Sequence, residues 1–370
     1  MPELVAVTLP GGSGFVQALD RIWAEGDAVL PIDTRLPGAA RQVLLDTMRP
    51  SRLIDEQGDE HRLDGGRPLE DGDALVVPTS GSTGTPKGVV HTHRSLTASA
   101  RLTSTALGVD PDHDAWLCPL PVSHIAGLAV ILRARWSGIP VEVLPHFDAR
   151  EVEAAARDRG ATLTALVPTA LARIDPSLFR RIVVGGSAIP AVRPPNTVAT
   201  YAMTETGSSI VFDGRPLDEV ELRIVDGEIQ VRGPMLFRTY RNGPAPFTDD
   251  DWYPTGDAGA LADDGTISVH GRRGDMIITG GENVWPAPVE ALLGTLDGIA
   301  EVAVVGRPDP EWGHVVTAVV VPTDPANPPS IDALRAAVKE QMHPAAAPRR
   351  IELVEALPHT PLGKVLRSQL

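Results

Sequence analysis

The chain has 370 residues, of which 42% are hydrophobic and 22% are charged, and its formal net charge is −15. This composition is typical of a globular protein with more than one domain and excludes a disordered chain. The negative charge argues against a general nucleic-acid-binding protein, because such proteins need clustered Lys and Arg. The single cysteine, Cys118, excludes an internal disulfide and a cysteine-based zinc site, and we expect its side chain to be buried.

No segment has the pattern of a membrane span or a signal peptide. The longest apolar stretch, residues 124–136, is interrupted by Arg133 and Arg135 and is too short to cross a bilayer. We therefore expect a cytoplasmic protein without membrane insertion. The sequence leaves the oligomeric state open, a homodimer included.

Residues 14–205 alternate amphipathic stretches with short apolar runs, which predicts an α/β region with a mainly parallel sheet. The runs are DALVVP at 73–78, AWLCPLP at 115–121, VEVLP at 141–145, TLTALVP at 162–168, RRIVVGG at 180–186 and TVATYA at 197–202. Ligands of such sheets gather beyond the carboxyl ends of the strands.

The pattern changes twice after this region. Residues 208–272 predict antiparallel strands joined by Asp-Gly turns, which would form a β-rich subdomain. Helices at 286–296 and 331–342, with apolar strands around them, then predict a small α+β unit. We predict an N-terminal domain at 1–272, shortened at its start, and a smaller, mobile C-terminal domain at 275–370. The hinge is expected near 273–275, where Gly274 can absorb backbone rotation.

The segment TSGSTGTPKG at 79–88 directly follows the first of these runs and has no apolar face to bury. Its N–H groups and hydroxyls predict an anion-binding loop, with a flexible linker as the alternative. The nucleoside-triphosphatase P-loop does not fit, because Lys87 precedes its Gly and leads into the β-like run GVV. The nucleophile elbow of esterases does not fit either.

Lysine is scarce in this chain. Of the 33 basic residues only Lys87, Lys339 and Lys364 are lysines. Lys339 lies in an amphipathic helical pattern and is predicted to be exposed. Lys87 and Lys364 lie in glycine-containing loops, where a compact ammonium fits and a planar guanidinium does not.

Five segments together resemble the acyl-adenylate-forming enzymes, which include acyl-CoA synthetases, peptide-synthetase adenylation domains and beetle luciferases. TSGSTGTPKGV is similar to their phosphate loop, and the other segments follow in that family's order: YAMTETG at 201–207, YPTGDAG at 253–259, GRRGDMIITGGENVWPAPVE at 271–290 and PLGKVLR at 361–367. The resemblance implies a ligase that joins a small-molecule carboxylic acid to the α-phosphorus of ATP with Mg²⁺, and then transfers the acyl group to coenzyme A.

The resemblance also implies roles for individual residues. The ATP phosphates are assigned to Thr79, Ser80, Gly81, Ser82, Thr83, Gly84 and Lys87, and adenosine to Gly185, Gly186, Ser187, Tyr201, Asp257 and Arg272. Within this set, Tyr201 is expected to stack on adenine, while Asp257 and Arg272 contact the ribose. Thr204 is assigned to the α-phosphate and Glu205 to Mg²⁺.

The C-terminal segments are assigned to the two chemical steps. Lys364 is expected between the attacking carboxylate and the α-phosphate, where it would cancel the repulsion of two anions. Gly280 and Gly281, in TGGEN, are assigned to the CoA tunnel, where glycine lets backbone approach pantetheine.

Residues 119–138 line the acid pocket in this family. His124 is expected near the reacting carboxylate, with a core histidine as the alternative. We predict that Arg133 binds a second carboxylate of the substrate, and the alternative is an exposed helix arginine. HIAGLAV at 124–130, VPTALARI at 167–174 and the short length resemble the o-succinylbenzoate:CoA ligases of menaquinone biosynthesis, particularly their compact actinobacterial form.

Three alternatives stay open at the level of sequence. The acid can instead belong to an aryl- or fatty-acyl-CoA ligase, and the thiol can be that of a carrier protein rather than free CoA. The third alternative is a degenerate, non-catalytic nucleotide-binding module, because the N-terminal region is short.

Overall fold

The structure is a computed structural model that describes residues 1–79, 86–186, 189, 192–359 and 365–370. The chain divides into two compact units. The larger unit comprises Met1–Gly185, Val192–Leu222 and Val231–Tyr253, and the smaller unit comprises Gly186–Ala191, Arg223–Gln230 and Pro254–Leu370.

The first half of the chain alternates strands and helices. In chain order they are β1 (Leu4–Val7), α1 (Ser13–Ala24), β2 (Ala28–Pro31), α2 (Gly38–Met48), β3 (Arg52–Ile54), β4 (Glu60–Arg62), β5 (Asp73–Thr79), β6 (Lys87–Thr92), α3 (His93–Leu107), β7 (Trp116–Cys118), α4 (Ile125–Ser137), β8 (Val141–Val143), α5 (Ala149–Asp158), β9 (Leu163–Leu166), α6 (Pro168–Leu171), β10 (Arg181–Val184) and β11 (Thr197–Met203).

Strands predominate in the remainder. They are β12 (Ser208–Phe212), β13 (Arg215–Pro216), β14 (Glu221–Val225), β15 (Glu228–Arg232), β16 (Thr239–Tyr240), β17 (Tyr253–Leu261), β18 (Ile267–Arg272), β19 (Ile277–Thr279) and β20 (Glu282–Val284), followed by α7 (Pro286–Leu293), β21 (Ile299–Asp309), β22 (Gly313–Pro322), α8 (Ile331–Gln341) and β23 (Arg350–Leu353). The predicted α/β class is confirmed.

The larger unit contains two sheets. Among the described residues, their strand orders are β16-β6-β5-β2-β1-β3-β4 and β13-β12-β11-β10-β9-β7-β8. Strands β7 to β11 pair in parallel, as predicted, and so do β1, β2, β3 and β5. The predicted α/β region is divided between these two sheets, because the run at 73–78 lies in the first sheet and the later runs lie in the second.

Helix α4 explains why two sheets are needed. Nearly all of its residues from Ile125 to Ala134 are buried, and a helix that is apolar on every side must be covered on every side. Leu128 and Ile131 share an apolar cluster with Val29 and Leu75 of the first sheet. The same helix contacts β7, β9 and β12 of the second sheet.

Asp-Gly turns join the antiparallel strands, as predicted. Asp213 and Gly214 connect β12 to β13, and Asp226 and Gly227 connect β14 to β15, in each case with positive φ at both residues. Paired positive φ values are typical of the tight turn whose twist matches that of a hairpin. Strands β14, β15, β17 and β18 form a sheet in that order among the described residues.

The C-terminal part of the smaller unit has the predicted α+β pattern. Its sheet has the order β20-β19-β22-β21, and β23 pairs with β22. Val289 of α7 and Leu334 and Val338 of α8 share its apolar core. Lys339 is exposed on α8, as predicted.

The proposed hinge residues Arg273–Asp275 form a short 3₁₀ turn inside the smaller unit. The boundary at 272–275 stays a prediction. Within the described ranges, no helix combines the length and the apolar character needed to cross a bilayer.

Candidate active site

Two neighbouring strands hold the ends of the predicted phosphate loop. Thr79 ends β5 and Lys87 begins β6, and the two residues are partners in the antiparallel register. Thr79 Oγ1 donates a 3.4 Å hydrogen bond to the Lys87 carbonyl. The two ends of the predicted phosphate loop therefore lie side by side on a pair of antiparallel strands. Ser80, Gly81, Ser82, Thr83 and Gly84 lie outside the described residues.

Two backbone carbonyls of the Thr204–Thr206 turn accept hydrogen bonds from residues elsewhere in the chain. His91 Nε2 lies 2.7 Å from the Thr204 carbonyl, and the Phe237 N–H donates to the Glu205 carbonyl at 2.9 Å. Because a carbonyl only accepts, Nε2 of His91 carries the proton. Burial lowers the pKa of His91 to about 4, despite the opposing effect of this hydrogen bond, so the imidazole is neutral at pH 7.

The carboxylate of Glu205 has a tyrosine partner that the sequence analysis did not identify. Tyr240 OH donates to Glu205 Oε1 at 3.0 Å, and Lys87 Nζ lies 5.0 Å from the centroid of the Tyr240 ring. Thus Lys87 and Glu205, which are 118 positions apart by their numbers in the printed sequence, contact the same side chain. The sequence does offer one signal that could have pointed to Tyr240, which is the scarcity of tyrosine: the chain has only three.

Residues predicted to contact adenine lie at strand ends. Gly185 follows β10, and a Cβ there would come within 2.6 Å of Thr200 Cγ2, so the position needs glycine. Gly186 has φ of 89°, which also favours glycine. Tyr201 is half-buried on β11, whereas Ser187 lies outside the described residues.

Asp257 and Arg272, both assigned to the ribose, are brought together in the smaller unit. They are cross-strand partners on β17 and β18, and Arg272 Nε lies 3.1 Å from Asp257 Oδ1. Arg272 Nη1 also donates to the Thr255 carbonyl at 2.8 Å. A buried carboxylate is therefore presented in a fixed orientation at a strand pair.

Gly280 and Gly281 form the tight turn between β19 and β20. Their φ values are 58° and 86°. The Gly280 N–H donates to the Trp312 carbonyl at 2.9 Å, and a Cβ on Gly280 would come within 2.6 Å of the Trp312 ring. Lys364, the residue assigned to the reacting carboxylate, lies outside the described residues.

His124 is the N-cap residue immediately before α4, and it faces a carboxylate that the sequence analysis missed. Its Nε2 lies 3.7 Å from Asp33 Oδ2, which is too far for a hydrogen bond, and this buried nitrogen has no hydrogen-bond partner among the described residues. Asp33 also accepts from Arg35 Nη2 at 2.7 Å. Burial alone would raise the pKa of Asp33, but the nearby His124 ring and the bonds from Arg35 hold it well below the usual range of a carboxyl.

Arg133 is 2% exposed, so the alternative of an exposed helix arginine is wrong. Its Nε donates to Thr103 Oγ1 at 3.0 Å, and its Nη2 donates to Ser208 Oγ at 2.6 Å and to Ser209 Oγ at 3.3 Å. Among the described residues, no carboxylate lies within ion-pair distance of it. Burial lowers the pKa of Arg133 to about 10, so the guanidinium stays charged at neutral pH.

Cys118 is fully buried, as predicted. Burial raises the pKa of its thiol to about 12, so it is an unreactive core residue rather than a nucleophile.

Comparison with known proteins identifies the family. A model described as an AMP-binding enzyme matches residues 67–241, and a model described as the AMP-binding enzyme C-terminal domain matches residues 288–364. A probable 2-succinylbenzoate–CoA ligase of Mycobacterium tuberculosis is 40% identical over 332 residues, which cover 82% of this chain and 85% of the relative. The chain belongs to the AMP-binding enzyme family.

Solved structures of this family share the fold. The o-succinylbenzoate CoA synthetase (MenE) of Bacillus subtilis, in complex with its acyl-adenylate intermediate, has a TM-score of 0.87 and 28% identity, covering 99% of this chain and 87% of that one. The same Bacillus subtilis synthetase has also been solved with ATP and a magnesium ion. That structure has a TM-score of 0.87 and 28% identity, and the match covers 100% of this chain and 89% of that one.

Proposed function

We propose that this protein is an ATP-dependent acid:CoA ligase that acts through an acyl-adenylate, and that its acid is o-succinylbenzoate. The observation that carries the proposal is the 40% identity to a probable 2-succinylbenzoate–CoA ligase over most of both chains. In the first step a carboxylate oxygen attacks the α-phosphorus of ATP and the bond to pyrophosphate breaks. In the second step the sulfur of CoA attacks the acyl carbonyl and AMP leaves.

On the phosphate side, the proposal gives Lys87 and the loop from Thr79 the β- and γ-phosphates. Thr204 would contact the α-phosphate, and Glu205 would hold Mg²⁺. A hard oxygen donor suits Mg²⁺, which usually takes one or two carboxylates and completes its shell with phosphates and water. When bound, the ion would neutralise phosphate charge.

Lys364 is proposed to stabilise the first step. A single ammonium placed beside two approaching anions lowers their repulsion in the transition state. Gly185, Gly186, Ser187 and Tyr201 are proposed to contact adenine, with Asp257 and Arg272 on the ribose. The ion pair between Asp257 and Arg272 fixes that carboxylate as a hydrogen-bond acceptor for hydroxyls.

The acid side is proposed to contain one imidazole and one guanidinium. The buried Nε2 of His124 lacks a partner among the described residues, so a polar group of the substrate near the reacting carboxylate would satisfy it. Arg133 has hydroxyl partners and a full charge, which supports recognition of the substrate's second carboxylate. An aromatic keto-diacid carries both groups.

Gly280 and Gly281 are proposed to line the path of the thiol, where positive φ and missing side chains keep backbone accessible. Free CoA is the proposed acceptor, and a carrier-protein thiol is the alternative. We further propose a cytoplasmic setting, and a homodimer would be tested by sedimentation.

The deciding experiment measures pyrophosphate release with Mg·ATP and o-succinylbenzoate, beside benzoate and a medium-chain fatty acid, with and without CoA. Release with the keto-diacid, accelerated by CoA and giving its thioester, is expected. Release only with another acid would retain the chemistry and reject this substrate. No release with any acid would favour a nucleotide-binding module instead.

A further inference from the structure

All three tyrosines of the chain lie in one apolar cluster. Tyr240 and Tyr253 are buried there with Phe237, and the half-buried Tyr201 packs against them. Aromatic residues make up only 4% of the chain, so this concentration of phenol groups is unusual. The cluster adjoins the carboxylate of Glu205.

The hydroxyls of two of these tyrosines form a directed chain to that carboxylate. Tyr240 OH lies 3.0 Å from Glu205 Oε1 and 3.1 Å from Tyr253 OH. A carboxylate only accepts and a phenol has one proton, so Tyr240 donates to Glu205 and Tyr253 donates to Tyr240. Tyr240 is 9% exposed and Tyr253 is 4% exposed, so water competes little for these bonds.

The ring of Tyr240 contacts the phosphate-loop lysine. Lys87 Nζ lies 5.0 Å from the ring centroid, within the range of a cation–π contact. The two residues are placed by strand pairing, because Tyr240 of β16 is the register partner of Val89 of β6. One side chain therefore contacts both the lysine and the carboxylate.

Backbone contacts fix the turn itself, so Tyr240 acts on the side chain of Glu205. The carbonyls of Thr204 and Glu205 are held by His91 and Phe237. The phenol occupies Oε1, which leaves Oε2 as the oxygen that a cation would meet. A carboxylate anchored at one oxygen keeps one rotamer and binds a metal through the other oxygen at lower entropic cost.

We propose that Tyr240 is a positioning residue that orients Glu205 for the magnesium ion of Mg·ATP. This inference rests on the proposed role of Glu205 in the adenylation step. Tyr240 touches neither the nucleotide nor the acid in this scheme, and its effect passes through the Glu205 carboxylate.

The test is the calorimetric affinity for ATP, measured with Mg²⁺ and with EDTA, in the parent, Tyr240→Phe and Glu205→Gln proteins. Tyr240→Phe keeps the ring against Lys87 and Phe237 and removes only the hydroxyl. We expect it to lose about tenfold of the Mg²⁺-dependent gain in affinity, the scale of one hydrogen bond to a charged group. Affinity in EDTA should be unchanged. Glu205→Gln should lose at least as much of the Mg²⁺-dependent gain. A protein that carries both Tyr240→Phe and Glu205→Gln should lose no more of it than Glu205→Gln alone.

Tyr253→Phe is the matched control, because it removes the same atom from the same cluster without touching Glu205. A smaller loss of the Mg²⁺-dependent gain is expected. An equal loss in Tyr240→Phe with and without Mg²⁺ would mean a structural role and would overturn the proposal, as would an unchanged Mg²⁺ dependence. If Tyr240→Phe does not fold, Tyr253→Phe decides, since an unchanged Mg²⁺ dependence there contradicts the directed chain.

ATP binding needs no acid, so this test is separate from that of the ligase activity. A parent protein that releases no pyrophosphate with any acid would reject the proposed function while the binding comparison still stands. A parent whose ATP affinity ignores Mg²⁺ would reject the metal role of Glu205.

Discussion

Asp33 places a buried carboxylate oxygen 3.7 Å from Nε2 of His124, the N-cap residue immediately before α4. The carboxylate belongs to the loop after β2, in the region that precedes the phosphate loop. That loop therefore contributes a carboxylate, Asp33, beside the proposed acid pocket.

Asp33→Asn should destabilise the larger unit at pH 7 by about 1–2 kcal/mol, a figure reduced because Arg35 is half exposed. The folded pKa of Asp33 is depressed, so its contribution is fully present above the ordinary carboxyl pKa near 4 and is lost as pH falls below that value. Urea titrations at pH 7 and pH 3.5 should show the difference shrinking. The exposed Asp71→Asn is the control, and a constant difference would contradict the pairing.

His91 should make stability depend on pH in a different range. The unfolded chain binds a proton at this residue below about pH 6.5, whereas the buried imidazole does so only near its folded pKa of about 4. Stability should therefore fall by about 2 kcal/mol between pH 7 and pH 5. His91→Gln, which retains an N–H donor for the Thr204 carbonyl, should lack this slope in urea midpoints. A parallel slope in both proteins would assign the effect elsewhere.

Arg133 should determine which acid is used. Arg133→Met keeps an apolar side chain against Trp116 but removes the charge, so KM for o-succinylbenzoate should rise about tenfold or more. Arg133→Lys should lose less, since it keeps the charge with fewer donors. Adenylation of benzoate, if measurable, is the internal control. An equal loss with both acids would indicate a folding defect rather than recognition of a second carboxylate.

Lys364→Ala should slow adenylation by roughly 10²–10³, the usual effect of removing one electrostatic donor from a transition state. The measurement is single-turnover pyrophosphate release at saturating ATP. Lys339→Ala, at an exposed position of α8, is the control for loss of a lysine. An unchanged rate in Lys364→Ala would remove this residue from the mechanism.

Gly280→Ala should slow thioester formation by about tenfold and leave adenylation unchanged. A Cβ there would press on the Trp312 ring at 2.6 Å and would sit on a residue with φ of 58°. Gly281→Ala carries only the backbone penalty, because no atom of the described residues lies within 4 Å of its added Cβ, and it should lose less. Rapid-quench assays of the two half-reactions separate them. Equal losses in the two variants would exclude the Trp312 contact as the cause.

The sequence predicted most strands because buried parallel strands are continuous apolar runs, as at 163–166 and 181–184. It also predicted the Asp-Gly turns. The family resemblance assigned Asp257 and Arg272 to one ribose, and the structure pairs them across two strands, while their contact with ribose stays a prediction. It did not distinguish one sheet from two, since an apolar α4 indicates burial without saying what covers it. A local sequence pattern shows that a helix is buried but does not show which elements pack against it.

Tyr240 was missed for a related reason. Its strand, β16, has two residues, which is too short to produce an alternating pattern, and its partners are distant in sequence. Asp33 was missed because a carboxylate after a short strand resembles an ordinary turn residue. Both positions depend on long-range pairing, which a single sequence does not reveal.

Strand β6 positions three residues of the site. Every second residue of a strand points to the same face, so Lys87, Val89 and His91 share one face of β6. There Lys87 meets the Tyr240 ring, Val89 packs in the tyrosine cluster and His91 contacts the Thr204 carbonyl. Inserting or deleting one residue between Lys87 and His91 would turn one end of this row to the opposite face. Length variation among natural or designed versions of this chain should therefore be tolerated outside β6 and rejected within it, even where every substitution inside the strand is conservative.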